Sequence, residues 1–89
     1  MNALQHEIFR ETVLRAFKAS GGCGLSLMTL DATLRACGFK RFSAEDAETE
    51  VQYFLDKGFV AEVPKSHSVG NRIWRITAAG VDDLESRGL

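Results

Sequence analysis

Two cysteines and two histidines are the side chains best suited to metal binding or nucleophilic chemistry. Cys23 and Cys37 stand fourteen positions apart, and His6 and His67 stand sixty-one positions apart. A zinc site usually begins with a close pairing such as C-x₂₋₄-C or H-x₃₋₅-H, and a nucleophilic cysteine needs a base partner. The chain has neither pattern, so we expect no metal, no cofactor and two reduced thiols.

Acidic side chains crowd the stretch "SAEDAETEVQYFLDKGFV", residues 43–60, which holds five acids and one lysine. Carboxylates act as general acids or bases when burial or a neighbour shifts their pKa toward neutral pH. On a water-exposed helix nothing supplies that shift, so we predict that the protein is not an enzyme. The acids then form either an ordinary solvated helix face or a binding surface for a basic partner.

Basic side chains lie on either side of this acidic helix. Two precede it, and three follow within residues 64–77, a segment that contains no acid. If these cations border one groove, they can bind the phosphate backbone of DNA, with a histidine probing the minor groove. A hairpin tip is polar in any case, so simple solvation is the alternative. The candidate DNA-binding residues are Lys40, Arg41, Lys65, His67, Arg72 and Arg75.

Length and composition describe one small domain. Eighty-nine residues, 45% hydrophobic and 26% charged, are typical of a globular chain with a single core. No run of eighteen apolar residues and no signal-peptide pattern occurs, which predicts a soluble, cytoplasmic protein without a membrane partner. The net charge is −1 and the pI is near 6.1, so any nucleic-acid binding must depend on local charge.

Two helices are predicted in the first half of the chain. The first covers residues 4–20, and the glycines of "SGGCG" stop it. The second lies within residues 25–39, after a short alternating stretch. Cys37 falls on the same helical stripe as Leu30 and Leu34, so we place its thiol in the core.

The third helix has the clearest boundary signals. Ser43 is a good N-cap, and Asp46 three residues later approximates a capping box, in which Glu or Gln fits better than Asp. Gly58 suits the left-handed position after the last turn. Helical spacing predicts the apolar face from four residues: Ala47, Val51, Phe54 and Leu55. The positions predicted to face water are Glu45, Asp46, Glu48, Thr49, Glu50, Gln52, Tyr53 and Asp56.

A β-hairpin and a last helix complete the chain. "FVAEVPK" and "RIWRIT" are β-prone runs on either side of "SHSVGN", whose glycine and asparagine suit a tight turn. Alternation puts Trp74 and Ile76 on one face of the second strand and Arg75 on the other. Thr77 is a good N-cap for the helix in "AAGVDDLESRGL".

The order helix, short strand, helix, turn, helix, hairpin, helix resembles the winged-helix variant of the helix-turn-helix fold. The stretch "YFLDKGFV", residues 53–60, is similar to the "L-x-x-L-x-x-x-G-h-V" end of the family's third helix. The stretch "WRITAAG", residues 74–80, is similar to the "Y-x-L-T-x-x-G" that follows the wing. The resemblance implies an α+β fold over residues 1–89, mostly α-helical, with a two- or three-stranded β-wing and a short C-terminal helix.

DNA binding is the function that the resemblance implies first. In winged helices of the common type the third helix enters the major groove and the wing touches the backbone or minor groove. A narrower likeness is to small winged-helix proteins of Mu-like phages and prophages, which share an "LR" first helix and an "x-x-D-x-x-L-x-x-L-x-x-x-G" third helix. We therefore predict a transcriptional regulator or phage accessory factor that binds double-stranded DNA mainly through the wing.

Protein binding is the alternative, because the third helix carries acids where a DNA reader would carry cations. Winged-helix domains also serve as protein-interaction modules. Tyr53 would then be an exposed aromatic anchor. A homodimer through the first and last helices is compatible with both hypotheses. The surface predicted for this alternative comprises Glu45, Glu48, Gln52, Tyr53 and Asp56.

Overall fold

The computed structural model describes residues 2–64 and 72–88, and this part of the chain forms four α-helices and a three-stranded antiparallel sheet. The elements are α1 (Ala3–Ser20), β1 (Leu25–Ser26), α2 (Leu27–Ala36), α3 (Ala44–Lys57), β2 (Val60–Glu62), β3 (Ile73–Ile76) and α4 (Ala78–Ser86). A short 3₁₀ turn, Gly21–Cys23, joins α1 to β1. The predicted α+β class is confirmed. The predicted hairpin tip, with Lys65 and His67, lies outside the described residues.

Local sequence signals determine where the helices begin and end. Ser43 Oγ accepts a hydrogen bond from Asp46 N, and Asp46 Oδ2 accepts one from Ser43 N, which is the predicted capping box of α3. Gly58 follows α3 with a left-handed φ of 77°. Thr77 caps α4, as predicted, by accepting a hydrogen bond from Gly80 N. These contacts satisfy amide groups that a helix end leaves unpaired.

The sheet closes one side of the core. β3 is its central strand, with β1 and β2 on either side. Leu25 of β1 pairs with Trp74, and Val60 of β2 pairs with Ile76. Because paired residues of antiparallel strands share a face, these four side chains lie on one side of the sheet. Leu25, Trp74 and Val60 are buried there, as the predicted alternation requires.

Helices α1, α2 and α3 supply most of the remaining core, to which α4 adds Leu84 and the loop before α3 adds Phe42. Each of these helices places apolar residues at helical spacing on one side. Of the apolar face predicted for α3, Ala47, Val51 and Phe54 are buried and Leu55 is partly buried. The buried helical residues include Phe9, Val13, Leu14, Phe17, Leu30, Leu34, Ala47, Val51 and Phe54. The opposite side of α3 is left facing solvent.

Cys37 departs from the prediction, because its side chain is exposed. Helix α2 ends at Ala36 and Cys37 is its C-cap, so the apolar stripe through Leu30 and Leu34 ends before it reaches the cysteine. Cys23, in the 3₁₀ turn, is exposed as well.

Both thiols are therefore expected to react with a thiol reagent in the folded protein as they do in denaturant, since exposure controls access to a thiol. Mass spectrometry of the labelled protein, with and without denaturant, counts the modified thiols. Cys37→Ser should change the free energy of unfolding by less than about 0.5 kcal/mol, as is usual for surface positions. Protection of Cys37 in the native protein would contradict this placement.

Candidate functional site

The solvent side of α3 is a continuous acidic surface. Its exposed residues lie opposite the buried Ala47, Val51 and Phe54. Gln52 Nε2 donates a hydrogen bond to Asp56 Oδ1 at 2.9 Å, which holds this carboxylate beside the amide. We define the acidic face as Glu45, Glu48, Thr49, Gln52 and Asp56. Three carboxylates and no cation belong to this set.

This acidic face repels a phosphate backbone. A carboxylate about 8 Å from a phosphate in water costs roughly 0.5 kcal/mol before salt screening. The three carboxylates together therefore offset a comparable number of basic contacts. Thr49 and Gln52 can hydrogen-bond to base edges, but such contacts discriminate between bases and do not replace attraction to the backbone.

Glu50 does not belong to the acidic face, which corrects the prediction that it faces water. Its side chain is 1% exposed. Arg10 Nε donates to Glu50 Oε2 at 2.7 Å, and His6 Nε2 lies 2.7 Å from Glu50 Oε1. The hydrogen bond to Glu50 outweighs the effect of burial and raises the pKa of the Arg10 guanidinium. Glu50 therefore links α3 to α1 as a buried ion pair.

Tyr53 is half-buried, so the prediction that it is an exposed aromatic anchor is wrong. Arg10 Cζ lies 3.8 Å from the centroid of the Tyr53 ring, and Lys57 Nζ lies 5.6 Å from it. Both distances fit cation–π contacts. The ring also packs against the core. Tyr53 therefore supports the contact between α1 and α3 and offers little area to a partner.

Arg72 is already paired with an acid. Its Nε donates to Glu62 Oε1, and its Cζ lies 5.4 Å from the centroid of the Trp74 ring. Residues 64–77 contain no acid, but the pairing of β2 with β3 brings Glu62 beside Arg72. Charge counted along the sequence therefore overestimates the positive charge of this hairpin.

The other predicted cations that the structure describes do not lie together. Arg75 is exposed on the face of β3 opposite Trp74. Arg41, next to the exposed Lys40, borders a cavity of about 290 Å³ between α1 and α3. Arg72 lies on the other flank of α3, toward β3. Helix α3 therefore separates Arg41 from Arg72, and these two cations do not border one phosphate-binding groove.

A cleft of about 260 Å³ lies between α3 and β3, beside the acidic face. Its apolar walls are Leu27, Val51, Leu55 and Trp74. Its polar rim consists of Glu48, Gln52 and Arg72. Because Glu48 and Gln52 also belong to the acidic face, this α3–β3 cleft joins apolar surface to negative charge.

Trp74 Nε1 is a buried donor that has no acceptor among the described residues. A buried N–H without a partner costs about 1–3 kcal/mol, so most such groups have one. Sequence alternation assigns Trp74 to the core face of β3 and gives no sign that it lines a cleft. The residue type is the one feature of the sequence that marks this position, since a buried tryptophan usually needs an acceptor for its N–H.

Helix α1 exposes two apolar residues one turn apart. Leu4 is 65% exposed and Ile8 is 45% exposed. They lie on the helix that the sequence offers for a homodimer, and exposed apolar residues of this kind can contribute to an interface.

Residues 2–64 and 72–88 contain no cluster of metal ligands and no membrane-spanning helix. No group of three or more His, Cys, Asp or Glu side chains there could hold a metal ion. No helix in this part of the chain is long and apolar enough to cross a membrane.

Comparisons of the chain with protein-family models, with curated proteins and with solved structures give no match.

Proposed function

We propose that the protein is a winged-helix domain that binds a protein partner through its acidic face. The order of elements supports this fold assignment, with α2 and α3 between β1 and β2 in the chain. The sheet order β1-β3-β2 supports it as well. In this fold α3 takes the position of the recognition helix, so its solvent side is the surface that meets the partner.

The charge of the acidic face carries the proposal. Glu45, Glu48 and Asp56 are exposed, and no Lys or Arg of α3 lies among them. This charge opposes a phosphate backbone and attracts a basic protein surface. Complementary charge speeds the encounter of two proteins and discriminates against wrong partners. The partner surface is therefore basic.

A charge-reversal experiment tests this function. The triple variant Glu45→Lys, Glu48→Lys, Asp56→Lys should weaken binding of a fluorescent lysine-rich peptide at least tenfold, because attraction becomes repulsion. The same variant should bind random-sequence duplex DNA more tightly than the wild-type protein does. Fluorescence anisotropy at about 50 mM salt measures both affinities.

The matched control makes the same change in net charge away from α3. It reverses three exposed acids: Glu7, Asp82 and Glu85. This control should retain most of the peptide affinity. If the two triple variants lost the same amount of peptide affinity, a specific role of the acidic face would be contradicted. A wild-type protein that does not bind the peptide would contradict it as well.

DNA binding through the β2–β3 hairpin is the second candidate. Arg75 of β3 favours it, because it is exposed and has no carboxylate partner among the described residues. Binding of random duplex by the wild-type protein at about 50 mM salt would support this candidate. The affinity should then fall with Lys65→Ala and with Arg72→Ala. Absence of duplex binding under these conditions would exclude it.

A further inference from the structure

We propose that the α3–β3 cleft receives one apolar side chain of the partner, and that the partner segment is a basic peptide with a leucine-like anchor. This inference rests on the proposed protein-binding function and names the chemistry of the ligand. Two features of the cleft carry it: its size and walls, and the charge beside it.

The size and walls of the cleft suit an apolar side chain more than a drug-sized molecule. Its volume of about 260 Å³ is below the roughly 300–1,000 Å³ of pockets that hold a drug-sized molecule. Val51 and Trp74 are buried, and Leu27 and Leu55 are partly buried, so the walls are apolar and backed by the core. Anchors that enter such pockets commonly dominate the energy of an interface.

The charge beside the cleft favours a partner with basic residues next to its anchor. Glu48 forms part of the rim, and Gln52 connects the rim to Asp56 through its hydrogen bond. Among the described residues of the rim the one cation is Arg72, and it is paired with Glu62. The described surroundings of the cleft are therefore negative. Lysine or arginine residues on either side of the anchor complement them.

The acidic face also limits which anchor the cleft accepts. An acidic anchor is disfavoured by the carboxylates of the neighbouring acidic face.

The experiment compares two lysine-rich peptides that are identical except for one central residue, leucine or serine. The leucine peptide should bind on the order of ten- to a hundredfold more tightly, as expected for burial of one such side chain. Trp74 is the only tryptophan of the chain, so its emission reports on the cleft directly. We expect the leucine peptide to change this emission and the serine peptide to leave it unchanged.

Two adjacent residues of α2 provide matched protein variants. Leu27 lines the cleft, whereas Met28 is 82% exposed and does not. Leu27→Ala should weaken binding of the leucine peptide and leave the serine peptide unaffected, and Met28→Ala should change neither. If Leu27→Ala fails to fold, the comparison of the two peptides on the wild-type protein still decides the question.

The outcomes separate this inference from the proposed function. If both peptides bind equally and charge reversal of the acidic face abolishes binding, the cleft inference is overturned and the protein-binding function stands. If neither peptide binds, both are overturned. A change of Trp74 emission with protein concentration alone would assign the cleft to a second copy of the chain. A change on addition of duplex DNA would assign it to nucleic acid, and either result overturns the inference.

Discussion

Arg10→Ala is expected to lower the free energy of unfolding by about 3–5 kcal/mol, because it leaves a buried charge without its main partner. The Glu50 carboxylate is 1% exposed and accepts from Arg10 Nε at 2.7 Å. After the substitution His6 is the one hydrogen-bond partner of Glu50 that remains among the described residues. A domain of this size has a total stability on the order of 5–15 kcal/mol, so the variant should unfold at much lower urea concentration. Circular dichroism during urea denaturation measures the loss.

Removing the Glu50 carboxylate should lower the free energy of unfolding less than removing the Arg10 guanidinium. In Glu50→Gln no buried charge remains, and the side chains of Arg10 and His6 are 32% and 49% exposed, so water can solvate them. Arg15→Ala is the matched control, since Arg15 is exposed on the same helix, and it should stay within about 0.5 kcal/mol of wild type. If Arg10→Ala were no more destabilising than Arg15→Ala, the buried ion pair would not contribute to stability.

Gly80→Ala is expected to destabilise the protein by about 1–3 kcal/mol through overpacking. Helix propensity alone predicts the opposite sign, because alanine is favoured over glycine by about 1 kcal/mol inside a helix. A Cβ at position 80 would lie 2.3 Å from the Phe59 carbonyl oxygen and 2.7 Å from Ile76 Cγ1. The carbonyl belongs to backbone that also accepts from Thr77 N at 2.9 Å, so it cannot move away freely. Helix α4 would have to shift from the sheet.

Gly22→Ala is the control for Gly80→Ala. Within the described part of the chain no atom lies within 4 Å of the position that a Cβ would take at Gly22, and the φ of Gly22 is outside the left-handed region. This substitution should be neutral or stabilise by up to about 1 kcal/mol, because it restricts the unfolded chain. Urea denaturation of both variants measures the difference. If the Gly80→Ala variant were as stable as the wild-type protein or more stable, α4 would pack against the sheet in a different way.

Helix boundaries are largely predictable because their signals are local. Ser43, Asp46 and Gly58 act within a few residues of their own positions, and the structure contains the predicted cap at each end of α3. Thr77 caps α4 for the same reason. The strand alternation that puts Trp74 on the core side is equally local.

The burial of Glu50 shows where local signals fail. Residues 47, 50, 51 and 54 have the i, i+3, i+4, i+7 spacing of a buried helix face, so the position of Glu50 indicates burial. Its residue type indicates exposure, since a carboxylate is rarely buried without a partner. The partners, Arg10 and His6, lie 40 and 44 positions away in the sequence. Only the packing of α1 against α3 decides between the two signals.

The surface charge depends on tertiary structure for the same reason. The helices, the caps of α3 and α4, the β-prone runs and an acidic outer side of α3 are predictable from sequence, because each follows from residues close together in the chain. The tertiary structure decided which charges remain available to a partner: it pairs Glu62 with Arg72, buries Glu50, and separates Arg41 from Arg72 across α3. It also brings Leu27, Leu55 and Trp74 together as one cleft. Ion pairs and clefts form between side chains that are distant in sequence, so their geometry appears only once the helices and strands have packed.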